Sequence, residues 1–76
     1  MTKIYSPIEG RIFLTKDNNE IPIKLGDYIK KGDVICYIES MKVINAIKSE
    51  HEGKIQKICF KDGDDVFDDD VLFVIS

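Results

Sequence analysis

The chain lacks several features by which enzymes are recognised from sequence. It has no tryptophan, two prolines and one histidine among its 76 residues. A chain of this length buries roughly 60% of its unfolded surface, which is enough for one small core but not for a large active-site cleft. No glycine-rich phosphate loop and no combination of nucleophile, base and orienting acid is present. We therefore expect a single domain over residues 1–76 that is not itself an enzyme.

Positive charge is not in excess, because 11 basic residues face 14 acidic ones and the net charge is −3. Proteins that bind nucleic acid generally present a basic surface, so nucleic acid is not an expected partner. The longest apolar runs, such as residues 71–75, are far shorter than the about 20 residues of a membrane span. No apolar segment of the kind found in secretory signals follows Met1. These features predict a soluble, cytoplasmic protein with no membrane partner.

Residues that commonly bind metals do not form a recognisable site. Cys36 and Cys59 each lie inside an apolar run, which is typical of reduced, inert thiols in or near a core. His51 has no cysteine or histidine neighbour at the spacing of a zinc site. The acidic segment 62–70 lacks the spacing and the final glutamate of an EF-hand loop. We expect no metal, and we interpret the acidic segment as a solvated turn or a docking surface.

Short runs rich in Ile, Val, Tyr and Phe alternate with clusters of Gly, Asp, Asn and Pro along the whole chain. This pattern predicts about seven or eight short strands and almost no helix. Residues 40–50 are compatible with a helix in length, but their β-branched residues favour a strand that leaves a turn. The main predicted strands cover residues 4–5, 11–14, 34–39, 43–47, 53–60 and 71–75.

The sequence also contains an internal repeat. Residues 26–38 align on residues 63–75 without a gap, and residues 10–12 align on residues 53–55. The repeat predicts two similar halves related by a pseudo-twofold axis, forming a sandwich or a flattened β-barrel. Lys42 lies where the halves join, so we expect it to be exposed at one tip.

Four segments together resemble the biotinyl domains of biotin-dependent carboxylases: residues 6–10, residues 26–33, Glu39-Ser40-Met41-Lys42 and residues 53–55. The resemblance spans nearly the whole chain and implies an all-β barrel-sandwich hybrid of two four-stranded antiparallel sheets. It further implies that a biotin protein ligase attaches biotin covalently to Lys42 in a tight β-turn. This chain has Ser40 where the family usually has alanine and Val43 where it usually has methionine.

One interval differs between the two halves of the repeat. Gly10 and Gly26 are further apart than Gly53 and Gly63, and the additional residues fall within residues 15–22. An insertion here resembles the protruding thumb in the carrier subunit of bacterial and plastid acetyl-CoA carboxylases. The alternative is a longer polar hairpin loop with no role.

The resemblance implies a carrier function with no catalysis by the domain. A biotin carboxylase would load a carboxyl group and a carboxyltransferase would use it, making malonyl-CoA for fatty acid biosynthesis. Lys42 would be the biotin-binding residue, flanked by Glu39, Ser40, Met41 and Val43 as the recognition segment.

Two alternatives from other classes stay open. A lipoyl domain presents a lysine at the same tip, but its turn usually reads Asp-Lys-Ala, and Met41 stands in place of that aspartate here. An unmodified binding module would have the same fold with a lysine that is never acylated. The mass added to the protein by its ligases distinguishes the three.

Overall fold

The computed structural model describes residues 1–16 and 21–76, and this part of the chain is all β. The described residues contain ten strands and no helix, which confirms the predicted fold class. The prediction of seven or eight strands was low because four of the ten contain two residues each, too few for a periodic pattern. The strands are β1 (Thr2–Tyr5), β2 (Gly10–Phe13), β3 (Thr15–Lys16), β4 (Ile21–Pro22), β5 (Tyr28–Ile29), β6 (Val34–Ser40), β7 (Val43–Lys48), β8 (Gly53–Ile58), β9 (Asp65–Val66) and β10 (Val71–Ile75).

Eight of these strands form two four-stranded antiparallel sheets. The first has the order β1-β10-β8-β5 and the second has the order β7-β6-β2-β9. Strands that are consecutive in the chain therefore often lie in different sheets, so that the chain crosses repeatedly between the two layers. β6 and β10 occupy equivalent central positions, which agrees with their alignment in the repeat.

The core lies between the two sheets and is built mainly from isoleucine. β2 buries alternate residues, as expected for a strand with one face in solvent. β6 and β10 each bury two consecutive residues, so both of their faces are partly covered. The buried apolar residues are Ile4, Ile12, Ile23, Ile29, Ile35, Cys36, Ile38, Ile47, Ile55, Val66, Leu72, Phe73 and Ile75.

Both cysteines are free thiols, and the structure places them as predicted. Cys36 is fully buried and Cys59 is partly buried. Burial raises the pKa of the Cys36 thiol to about 12, because the apolar surroundings disfavour a thiolate. Cys36 is therefore a packing residue at neutral pH.

Equivalent hydrogen bonds confirm that the two halves are related by a pseudo-twofold axis. The Gly26 amide donates to the Ile55 carbonyl at 2.8 Å, and the Gly63 amide donates to the Ile12 carbonyl at 2.7 Å. Gly26 corresponds to Gly63 and Ile12 to Ile55 in the sequence repeat. Each half thus pairs with the other through the same contact, once beside the β5–β8 pairing of the first sheet and once beside the β2–β9 pairing of the second.

The insertion within residues 15–22 begins and ends as a short β-hairpin. Thr15 pairs with Pro22, and Lys16 pairs with Ile21. The Lys16 ammonium lies 3.2 Å from the Asp27 carboxylate, an ion pair that ties the hairpin to the turn after it. Residues 17–20, where the tip of the predicted thumb falls, lie outside the described residues. Whether the hairpin acts as a thumb stays a prediction.

Candidate functional site

The predicted site lies at the tip of the hairpin that joins β6 to β7. Ser40 pairs with Val43, so that Met41 and Lys42 alone form the turn. Their φ angles are +51° and +65°. Two consecutive positive φ angles in a two-residue loop define the primed turn whose twist matches that of the two strands. The hairpin therefore ends in a tight turn of fixed shape.

Neither turn residue is glycine, although glycine or asparagine is common at such positions. A non-glycine residue in the left-handed region costs about 1–3 kcal/mol, so the Met41-Lys42 turn is strained. The six-residue ladder between β6 and β7 supplies the stabilisation that holds it. The same ladder keeps Lys42 at a defined position at the end of a rigid hairpin.

The Lys42 amine is available for chemistry. Its side chain is exposed, and among residues 1–16 and 21–76 it takes part in no hydrogen bond or ion pair. An acylating enzyme would break no interaction within the domain on reaching it. An amide at this position would leave no buried charge behind, so the residues present fit covalent attachment of an acyl group.

The structure brings all five predicted site residues together at this tip. Met41 is 93% exposed and Val43 is 58% exposed, whereas Glu39 and Ser40 are half-buried at the end of β6. Two exposed apolar side chains beside a free amine give a partner protein an apolar surface to bind.

Asn45 supports the turn from the β7 side and was not singled out from the sequence. Its side-chain amide donates to the Ile38 carbonyl at 3.2 Å and to the Val43 carbonyl at 3.3 Å. Asn45 also pairs directly with Ile38 across the ladder. The sequence feature that could have identified Asn45 is a polar residue within an apolar strand segment, because a half-buried amide needs hydrogen-bond partners of this kind.

A shallow groove of about 520 Å³ opens beside the turn on the β2 and β9 side. Arg11 and Phe67 line it and were likewise not predicted as site residues. Arg11 is exposed on β2, and Phe67 is exposed just after β9. The full lining is Glu9, Gly10, Arg11, Glu39, Ser40, Met41, Asp65, Val66 and Phe67.

Within the described ranges, no group of three or more His, Cys, Asp or Glu residues is arranged to hold a metal ion. Carboxylates of the acidic segment make hydrogen bonds typical of turns. Asp64 accepts from the Lys61 amide and Asp70 from the Phe67 amide, both at 2.8 Å. The same two ranges contain no helix that is long and apolar enough to cross a membrane.

The biotin and lipoyl family model, described as "Biotin-requiring enzyme", matches residues 2–75. The chain is 40% identical over 74 residues to the chloroplastic biotin carboxyl carrier protein of acetyl-CoA carboxylase 1 from Arabidopsis thaliana. It is 38% identical over 73 residues to the biotin carboxyl carrier protein of acetyl-CoA carboxylase from Cyanidium caldarium. These matches cover 96% and 95% of this chain, but only 26% and 48% of the two relatives.

A solved structure shows the same fold. The urea carboxylase of Kluyveromyces lactis superposes with a TM-score of 0.79 at 31% sequence identity. The superposition covers 99% of this chain and 6% of the urea carboxylase chain. The family match extends over almost every residue of the chain. The chain therefore belongs to the biotin and lipoyl attachment-domain family.

Proposed function

We propose that Lys42 is the attachment site for covalent biotin and that the domain carries a carboxyl group between two enzymes. The observation that carries the proposal is the free Lys42 amine on a strained two-residue turn. The biotin-requiring description of the family supports biotin as the attached group.

The first partner is a biotin protein ligase. The neutral Lys42 amine attacks the carbonyl carbon of an activated biotin acyl group, an amide bond forms, and the activating group leaves while the amine loses its proton. The chain contributes presentation, because the rigid hairpin holds the amine in place and no local unfolding is required. Met41 and Val43 offer apolar contacts, and Glu39 and Ser40 complete the segment that the ligase recognises.

Biotin, once attached, supplies a ureido nitrogen that accepts a carboxyl group. The domain contributes tethering, because a covalently held group revisits two partner sites at a high effective concentration. Amide formation also removes the positive charge of Lys42, so that the arm enters a partner active site without a cation to desolvate. The partners would be a biotin carboxylase, which loads the carboxyl group, and a carboxyltransferase, which removes it.

Acetyl-CoA carboxylase is the proposed assembly, with malonyl-CoA as the product and fatty acid biosynthesis as the pathway. The names of the relatives from Arabidopsis thaliana and Cyanidium caldarium support this assignment. The hairpin stem of β3 and β4 supports it as well, since it occupies the place of the thumb. A cytoplasmic location stays a prediction from the sequence.

A lipoyl carrier is the second candidate, because the two kinds of domain share a fold and a lysine at the tip. Met41 disfavours it, since this exposed apolar side chain stands where a lipoyl domain usually has an aspartate. A lipoate ligase that uses that carboxylate would find a thioether in its place. An unmodified binding module remains the outcome if neither ligase acts on Lys42.

The test is the intact mass of the protein after reaction with a biotin protein ligase or, separately, with a lipoate ligase. We expect one biotinyl addition in the first reaction and none in the second. A Lys42→Arg variant should gain nothing, because a guanidinium is not acylated by these enzymes. Lys31→Arg is the matched control, since Lys31 is also an exposed lysine in a turn and its replacement should leave the biotinyl addition intact.

A lipoyl addition in place of a biotinyl one would favour the second candidate. No addition in either reaction would favour the binding module. Biotin on the Lys42→Arg variant would place the attachment site elsewhere in the chain.

A further inference from the structure

Asn45 links the two strands of the hairpin directly below the Met41-Lys42 turn. Its side-chain nitrogen lies 3.2 Å from the Ile38 carbonyl oxygen on β6 and 3.3 Å from the Val43 carbonyl oxygen on β7. Val43 belongs to the residue pair that closes the turn, and Asn45 pairs with Ile38 two positions further along the ladder. One half-buried side chain therefore contacts the backbone of both strands.

The two contacts require the particular chemistry of an asparagine amide. Both neighbouring groups are carbonyl oxygens, which only accept hydrogen bonds, so the NH2 group of Asn45 faces them and both of its N–H groups are used. Rotating the amide by 180° would bring three oxygen atoms together. A carboxylate cannot donate, and a hydroxyl has a single hydrogen to donate. The identity of residue 45 therefore matters for this contact, and not its size alone.

The internal repeat contains an equivalent pair of strands that no turn connects. β1 corresponds to β7 and β10 to β6, so the pair of Thr2 with Ile75 is the counterpart of the pair of Asn45 with Ile38. Thr2 is half-buried like Asn45, but its side chain makes no hydrogen bond in the part of the chain that the structure describes. The strand pair thus forms without a bridging amide. The amide is present where a turn joins the strands, which indicates that it serves the turn.

We propose that Asn45 is a positioning residue for the acylation of Lys42, because it holds the turn in the conformation that the ligase binds. The inference rests on the proposed function. Met41 and Lys42 have positive φ angles without being glycine, so the turn tends to open unless neighbouring contacts oppose it. Asn45 adds two hydrogen bonds at this point. It acts through the backbone of the turn and not through the reacting amine.

The expected size of the effect follows from the number of hydrogen bonds. Each one changes the ratio of closed to open turn by about two- to tenfold. The strain of two positive φ angles is of the same order as the stabilisation from two hydrogen bonds, so without the amide the two states become comparably populated. A ligase that binds only the closed turn then has an apparent affinity reduced in proportion to the closed fraction. The chemical step starts from the bound, closed turn and is unaffected.

The first test is 15N relaxation of the unmodified domain, which needs no ligase. The amides of Met41 and Lys42 should have order parameters of about 0.85 in the parent protein and below about 0.6 in Asn45→Ala. Thr2→Ala is the matched control, since it shortens the counterpart residue and should leave both values unchanged. Adding Met41→Asn to the Asn45→Ala variant should restore order, because asparagine tolerates positive φ and favours this type of turn.

The second test is the kinetics of biotinylation by a biotin protein ligase, with the concentration of the domain varied. Asn45→Ala should raise KM about two- to tenfold and leave kcat unchanged, because fewer molecules have the closed turn but the bound turn is the same. Ile47→Val is the control for stability. It shortens a buried side chain in the same strand and weakens the core away from the turn, so its KM should equal that of the parent.

Parent-like order parameters in Asn45→Ala would overturn the inference, as would a turn that Met41→Asn fails to order. An unchanged KM in Asn45→Ala, or a KM raised equally by Ile47→Val, would also overturn it. Absence of acylation in the parent protein would instead refute the proposed function. The relaxation data would then still decide whether Asn45 holds the turn.

Discussion

The backbone of Gly10 lies directly against the carbonyl of Glu39, so that a Cβ atom at position 10 would overlap the Glu39 oxygen. Gly53 meets the Ser76 carbonyl in the same way. Gly53 is the repeat partner of Gly10, and Ser76 follows the last aligned residue just as Glu39 does. The same close backbone contact therefore occurs once in each half. The contact at Gly10 fixes β2 against β6, the strand that ends at the turn.

Gly10→Ala should destabilise the domain strongly, by about 1–3 kcal/mol, because the methyl group has to displace backbone rather than a flexible side chain. Urea unfolding measures the change. Gly63→Ala is the comparison, since nothing lies within 4 Å of a Cβ at position 63 and only its φ of +89° opposes the substitution. Equal losses of stability in the two variants would show that the close contact between Gly10 and the Glu39 carbonyl does not cause the destabilisation.

Ser49→Ala should cost more stability than Ser6→Ala, although both serines are about 1% exposed at equivalent turns. The Ser6 hydroxyl donates to the Ile8 carbonyl at 2.6 Å. The Ser49 hydroxyl donates to the His51 carbonyl at 2.5 Å and also accepts from the His51 amide at 3.1 Å. One lost hydrogen bond costs about 1 kcal/mol, so we expect about 1 kcal/mol for Ser6→Ala and a larger loss for Ser49→Ala. Unfolding midpoints of the two variants in the opposite order would contradict this account.

Asp69→Gly should stabilise the domain by up to about 1 kcal/mol, because it removes a non-glycine residue from the left-handed region. Asp69 has φ of +68°, and its repeat partner Gly32 has φ of +93°. The Asp69 amide donates to the Ser6 carbonyl just as the Gly32 amide donates to the Ser49 carbonyl. Thermal unfolding measures the gain. Asp68→Gly at the neighbouring position is the control and should give no stabilisation, whereas an equal gain there would point to charge relief instead of backbone strain.

Asp27 should contribute to the acid sensitivity of folding. The Lys24 amide donates to its carboxylate at 2.9 Å, and this hydrogen bond holds the pKa of Asp27 below its ordinary value. Partial burial opposes the shift, and the Lys16 ammonium at 3.2 Å reinforces it. A carboxyl group with a lowered folded-state pKa stabilises the fold above the unfolded-state value of about 4, and this contribution is lost as the pH falls through the folded-state pKa.

Asp27→Asn should therefore be less stable than the parent protein at neutral pH and should lose less stability on acidification below about pH 4. Unfolding midpoints measured from neutral to acidic pH give the comparison. If the unfolding midpoints of the two proteins fall in parallel with pH, Asp27 does not contribute to the acid sensitivity of folding.

The sequence repeat predicted the architecture because it encodes the same contacts twice. Residues 26–38 and 63–75 each begin at a turn glycine and end in a central strand, and the structure pairs Gly26 with Ile55 just as it pairs Gly63 with Ile12. The β-branched side chains of residues 43–47 predicted a strand, and the structure confirms it as β7. The exposed turn at Lys42 followed from its position between the halves.

Other features depend on proximity that local patterns do not encode. β5 and β9 have two residues each, so no periodicity marks them. The amide of Asn45 finds its carbonyl partners only when the hairpin closes. The groove forms because β2 pairs with β9, which brings Arg11 and Phe67 together although they are distant in sequence.

The most direct test of the central claim is tandem mass spectrometry of proteolytic peptides from the domain after reaction with a biotin protein ligase. The account predicts biotin on Lys42 alone, because that amine is held free on a rigid turn beside Met41. Biotin distributed over several exposed lysines, or confined to a lysine outside the turn, would contradict it.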